Sequence, residues 1–176
     1  MSHSVHDKST APSEARPLLE KAEAAYGFVP NLLGVMAESP ALLEAYMTIG
    51  QIFEKTDFSA TEKQVVLLAV SAYNECGYCT RAHTTIASMQ GVPDDVAKAA
   101  AEGRRIDDPK LEALRTFTTT VVASRGNPDA DDLSAFLDAG YQRRHVFDVL
   151  TGVGMKTLSN YTNHVARTPL DEQFGG

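Results

Sequence analysis

The chain has 176 residues, 43% of them apolar and 22% charged, with a formal net charge of −7 at pH 7. That length holds one ordinary domain with a hydrophobic core, and a composition near the globular average excludes wholesale disorder. The negative balance, with no lysine/arginine cluster to offset it, excludes a nucleic-acid backbone or an anionic membrane as partner.

Residues 1–12 are polar, carry His3 and His6, and lack the apolar stretch of a secretory signal. They are expected as a flexible lead segment ahead of a single domain over residues 13–176, and the protein as cytoplasmic. A first helix is predicted from Ser13 to Tyr26, stopped by Gly27, with a turn through Phe28-Val29-Pro30-Asn31 and a short helix from Leu32 to Ala37. Ser39-Pro40 then opens a helix with Leu42, Leu43, Tyr46, Ile49 and Phe53 on one side.

Ser59-Ala60-Thr61-Glu62 matches a capping box, in which the serine hydroxyl and the glutamate each serve the other's backbone N–H. The following run, Val65 to Val70, passes for a buried strand on periodicity; the cap and the length to Tyr73 predict a buried helix instead. It is also the longest apolar run, far short of the about 20 residues that span a bilayer. Gly91 ends the next helix, Pro93 and Gly103 bound another, and Asp108-Pro109 starts one carrying Leu111, Leu114, Phe117 and Val121, which ends at Gly126. Asn127-Pro128 leads into Leu133, Phe136 and Leu137, stopped by Gly140, and the last helix runs from Gln142 toward Arg167. Within it, Gly152 and Gly154 mark a kink or a close helix crossing, and the tail after Pro169 is expected to be loose or to dock on a neighbouring subunit. No stretch alternates with period two. The class is all-α, one domain of about seven to nine helices.

Cys76 and Cys79, the only cysteines, are followed by His83. Spacings of three and four place side chains together on a helix surface, with the imidazole one turn from Cys79. A thiolate that attacks a peroxide O–O bond becomes a sulfenic acid, and a second thiol condenses with it to a disulfide. Cys79, nearer the base, is a candidate for the attack and Cys76 for resolution, with His83 accepting the Cys79 proton or, if charged, pairing with its thiolate. The helix dipole, however, favours Cys76 as the nucleophile.

Two cysteines and a histidine lack the fourth ligand of a structural zinc site, so no metal and no cofactor is assigned, although carboxylate completion keeps a metal-binding helical protein as an alternative. Thr80 after Cys79 excludes a c-type haem, and no strand or βαβ unit surrounds the pair as a thioredoxin-like domain requires. Tyr78 is read as packing or a hydrogen-bond donor, Glu75 as a helix-start charge, His164 with Asn160 as a satisfied helix pair, and His145 as part of a solvated face.

The stretch QVVLLAVSAYNECGYCTRAHTTIASMQG, Gln64 to Gly91, resembles the core of the AhpD-like, carboxymuconolactone decarboxylase superfamily, in which a buried helix runs into N-x-C-x-Y-C-x-x-x-H and a glycine. Residues 59–91 form this cysteine core. Phe28-Val29-Pro30-Asn31, Ser39-Pro40, Asn160-Tyr161-Thr162-Asn163-His164 and Thr168-Pro169-Leu170-Asp171 resemble the peroxidase-related branch. The resemblance implies an all-helical homo-oligomer, a trimer or hexamer, that reduces alkyl hydroperoxides. It implies attack by Cys79, resolution by Cys76, a proton relay through His83, and electrons from an external dithiol such as a dihydrolipoyl protein. Two positions depart from the relay: Gln64 stands where the family has a glutamate, and Tyr78 where it has a histidine. An amide is no base, and Glu62 lies about 200° away around the helix from Gln64. A non-peroxidatic disulfide oxidoreductase or redox sensor, and a decarboxylase-branch enzyme, remain alternatives.

Overall fold

The computed structural model describes residues 3–175. Among them the chain forms nine α-helices and no strand, as the capping and glycine-stop pattern predicts: α1 Arg16–Tyr26, α2 Asn31–Met36, α3 Pro40–Phe53, α4 Ala60–Tyr73, α5 Gly77–Met89, α6 Asp94–Ala101, α7 Pro109–Ala123, α8 Ala130–Asp138 and α9 Arg143–Ala166. A single 3₁₀ turn, Glu172–Phe174, follows.

The ambiguous run resolves as a helix. Ser59 accepts from the Glu62 N–H and Glu62 accepts from the Ser59 N–H, so the capping box is complete. Every residue from Gln64 to Ser71 is buried. An α-helix apolar all round has to sit in the middle of a fold, and α4 packs against α5, α6, α7 and α9.

Two apolar clusters result. The larger joins α4 to α6, α7, α8 and α9, with Phe117 stacked on Phe136 at 4.3 Å and Phe136 on Tyr141 at 4.5 Å. The smaller gathers Ala11, Ala15, Leu19, Ala22, Leu32, Leu33, Met36 and Leu43 from the N-terminal third. Of residues 1–12, expected as a flexible lead, 1 and 2 lie outside the described residues; in the remainder the His6 N–H donates to Gly34 O on α2 at 3.1 Å, and Asp7 closes a turn on Ser9 and Thr10.

Gly152 answers the question of kink or crossing. A Cβ there would meet Val66 Cγ1 at 2.7 Å and Phe53 Cε2 at 3.0 Å, so the glycine is what allows α9 to cross α4 at close range. The C-terminal tail differs from expectation: it docks on its own chain. Asp171 is buried and accepts from the N–H of Asn31, the first residue of α2, at 2.8 Å, and the Tyr78 hydroxyl donates to its other oxygen. Phe174 packs edge-on against Phe28 and Tyr78. A carboxylate at a helix N-terminus satisfies a free N–H group and complements the dipole, which holds the tail in place.

Candidate active site

The site begins where α4 stops. Asn74 is the C-cap of the helix, Glu75 turns left-handed at φ 54°, and the Cys76 N–H reaches back to Ser71 O at 2.9 Å while the Glu75 N–H takes Ala72 O at 3.0 Å. This is a Schellman closure, with a glutamate in the position that glycine usually takes. Cys76 thereby ends α4 and, as the N-cap residue, begins α5. The sequence expectation of three residues along one helix is corrected on this point: Cys76 lies outside the helix in extended backbone, and Cys79 is the residue inside its first turn.

Both cysteines are free and buried, each 1% exposed. Side chains from α9 close over them. The Asn163 Nδ2 amide donates to Cys79 Sγ at 3.2 Å and reaches Cys76 Sγ at 3.7 Å, and Ser159 Oγ lies 3.8 Å from Cys79 Sγ. The Asn74 side chain donates to Asn160 Oδ1 at 2.9 Å, tying the cysteine loop to the same helix. The Cys76 thiol beside Cys79 holds the Cys79 thiol well below its ordinary range, assisted by the charge of Lys156 and the Ser159 hydroxyl, against the opposing effect of burial. Cys76 is pushed up, first by its hydrogen bond to Cys79 and then by burial. The asymmetry favours Cys79 as the thiolate, although the helix start is nearer Cys76.

His83 is buried, and its Nδ1 hydrogen-bonds Gln64 Oε1 at 3.1 Å; Gln64 in turn donates to Gln90 Oε1 at 3.0 Å. Among the described residues no hydrogen bond joins the imidazole to either sulfur. Burial, reinforced by the charge of Lys156, holds His83 well below its ordinary value, so the ring is neutral and no ion pair with Cys79 forms. Tyr78 is also turned away from the sulfurs, its hydroxyl donating to Asp171 and accepting from the Leu32 N–H at 3.2 Å. His164 is exposed on α9 and takes no part, while Asn160, its expected partner, is fully buried. His145, expected on a solvated face, is half-buried, caps α9 through the Gln142 N–H at 3.0 Å and stacks on Phe58. Glu62 is committed to its capping box and to Lys110 at 3.2 Å. Among the described residues no group of three or more His, Cys, Asp or Glu side chains is arranged to hold a metal ion.

Sequence reasoning missed Lys156, Ser159 and Asn163, and took Tyr46 only as a core position. Lys156 is completely buried, and its charge acts on both sulfurs and on His83. Burial pushes the Tyr46 hydroxyl up, and the neighbouring Cys79 adds to it. A signal was present. Val149, Gly152, Lys156, Ser159, Asn160 and Asn163 trace the inward stripe of α9, and a lysine in such a stripe is unusual enough to mark a site.

Fold and site together define an all-helical protein with a buried dithiol at a helix junction, overlaid by polar side chains of a long second helix. Residues 40–119 match the Carboxymuconolactone decarboxylase family. The structure is similar to an alkylhydroperoxidase AhpD core, an uncharacterized peroxidase-related protein from Ralstonia eutropha JMP134, with TM-score 0.84 and 21% identity over 98% of this chain and 93% of that one. It is similar to an uncharacterized peroxidase-related protein from Silicibacter sp. TM1040, with TM-score 0.82 and 17% identity over 100% and 93% of the two chains. A third likeness is to a cysteine-to-alanine variant of the debrominase Bmp8 in complex with 2,3,4-tribromopyrrole, with TM-score 0.81 and 18% identity over 99% and 95%. No curated protein matches the chain. The match over residues 40–119 and the shared architecture make the chain similar to the AhpD-like, carboxymuconolactone decarboxylase superfamily.

Proposed function

We propose that the protein is a dithiol peroxidase that reduces small alkyl hydroperoxides. The observation that carries this reading is the unequal pair: Cys79 is favoured as thiolate first by the Cys76 thiol beside it and then by the charge of Lys156, with the Asn163 amide donating to its sulfur, and Cys76 is held as a thiol. Cys79 attacks the terminal peroxide oxygen, forming an S–O bond as the O–O bond breaks. Cys76 then displaces hydroxide from the sulfenic acid, giving a disulfide and water, and an external dithiol reduces the disulfide. With both sulfurs 1% exposed, a slender hydroperoxide is the fitting oxidant. His83 is neutral and held by Gln64, so it does not act as a charged partner of the thiolate. The reductant of dihydrolipoyl type, the trimeric or hexameric assembly and the cytoplasmic location belong to the same proposal.

The test is consumption of ethyl hydroperoxide with dihydrolipoamide by wild type, Cys79→Ser and Cys76→Ser. We expect turnover in the wild type, none in Cys79→Ser, and a single equivalent consumed by Cys76→Ser. A folded, reduced wild type that consumes no hydroperoxide, or that turns over 2,3,4-tribromopyrrole in its place, overturns the peroxidase reading.

A further inference from the structure

Lys156 presents a physical problem. Its side chain is 0% exposed, and among the described residues its Nζ has no hydrogen-bond partner. An unpaired buried ammonium is strongly destabilising unless an opposite charge compensates it. The Asn160 amide, four residues on, has no close hydrogen-bond partner for its Nδ2, although it too helps to hold Cys79 low. The two lie four residues apart, hence on one face of α9, the face whose Ser159 and Asn163 touch the sulfurs. Two buried polar groups without close partners therefore lie on the face of α9 that covers the sulfurs.

We infer that Lys156 is the acid that protonates the departing oxygen of the peroxide, with the Asn160 amide as an additional donor to it. The inference rests on the peroxidase reading above. In the resting centre the compensating charge of Lys156 is the Cys79 thiolate. When Cys79 takes the terminal oxygen, its electron pair makes the S–O bond and the O–O pair leaves on the alkoxide, so the negative charge moves from sulfur to oxygen. Lys156 passes a proton to that oxygen, leaving an alcohol, a neutral amine and the sulfenic acid. Cys76 condenses with the sulfenic acid, releasing water. Two thiols of the reductant then open the disulfide, restoring the Cys76 thiol and the Cys79 thiolate, and the remaining proton returns to the Lys156 amine. Lysine and its counter-charge thus stay balanced at each stage, which is why a cation survives in this interior.

Other candidates for the acid are already engaged. Gln64 is an amide, His83 gives its Nδ1 to Gln64 and is held neutral, and the Tyr78 hydroxyl is tied to Asp171. Cys76 must keep its proton for the condensation. The Tyr46 hydroxyl, which feels the charge of Cys79 and bonds Ser159, is the competitor to test.

Protonation matters for a strongly basic alkoxide and little for a carboxylate, so the leaving group separates this role from thiolate stabilisation or packing. Single-turnover oxidation by ethyl hydroperoxide and by peracetic acid, oxidants of similar size, is compared in wild type, Lys156→Met and Tyr46→Phe. We expect Lys156→Met to lose about 10²–10³-fold with the hydroperoxide, the scale of one preorganised donor, and less than about 10-fold with the peracid. Tyr46→Phe is expected to change the two rates equally. Proportionate losses with both oxidants in Lys156→Met, no loss with either, or a selective loss in Tyr46→Phe alone would overturn the assignment while leaving the peroxidase reading intact. A wild type inert to both oxidants overturns both. Lys156→Gln, which keeps a neutral donor, repeats the ratio if the methionine variant does not fold, and the same selectivity is expected.

Discussion

Replacing Gly152 by alanine tests whether the close crossing of α9 over α4 holds the molecule together. The new methyl would meet Val66 Cγ1 at 2.7 Å and Phe53 Cε2 at 3.0 Å. Neither neighbour can give way easily, because Val66 is 0% and Phe53 1% exposed in the larger cluster. Overpacking of this kind costs about 1–3 kcal/mol, partly offset by the roughly 1 kcal/mol that alanine gains over glycine inside a helix. The net is a loss of up to about 2 kcal/mol, a fall in Tm of as much as about 8 °C for a domain of this size. Gly154, two residues on, is the internal control. A Cβ there meets only Ile49 Cδ1 at 3.5 Å, an ordinary contact, so Gly154→Ala is expected to raise Tm by up to about 4 °C. Thermal unfolding followed by circular dichroism reads both. A Gly152→Ala protein as stable as wild type, or two variants that shift in the same direction, would refute the reasoning about the crossing.

Two further expectations follow from the site and the tail. Thiolate absorbance near 240 nm should show one step well below the ordinary thiol value of about 8.5, absent in Cys79→Ser, because Cys79 is held low and Cys76 high. The sign follows for stability: the Cys79 contribution is complete above the unfolded thiol value and is lost as pH falls through the depressed folded one. A single step at or above the ordinary value in the wild type would contradict the asymmetry. Asp171→Ala removes the acceptor for the Asn31 N–H and the Tyr78 hydroxyl. At about 0.5–2 kcal/mol for a lost cap, Tm should fall by up to about 8 °C and the tail should become sensitive to limited proteolysis; unchanged values for both would show that the docked tail contributes nothing.

Local chemistry alone settled most of the helices. The Ser59 and Glu62 box, the Asp108 cap and the glycine stops act over three or four residues, so short-range hydrogen bonding and backbone preference are written directly in the residues concerned. The same holds for the neighbourhood of Cys76 and Cys79, which three residues of chain bring together whatever the rest of the fold does. The tertiary structure decided what surrounds the sulfurs. Ser159 and Asn163 reach them, with Lys156 and Asn160 buried on the same face, from about eighty residues downstream because Gly152 lets α9 lie close on α4, a packing term that no local pattern expresses. His83 turns to Gln64, and Tyr78 to the tail, for the same reason: each buried polar group takes the partner that the assembled core offers, not the one nearest in sequence.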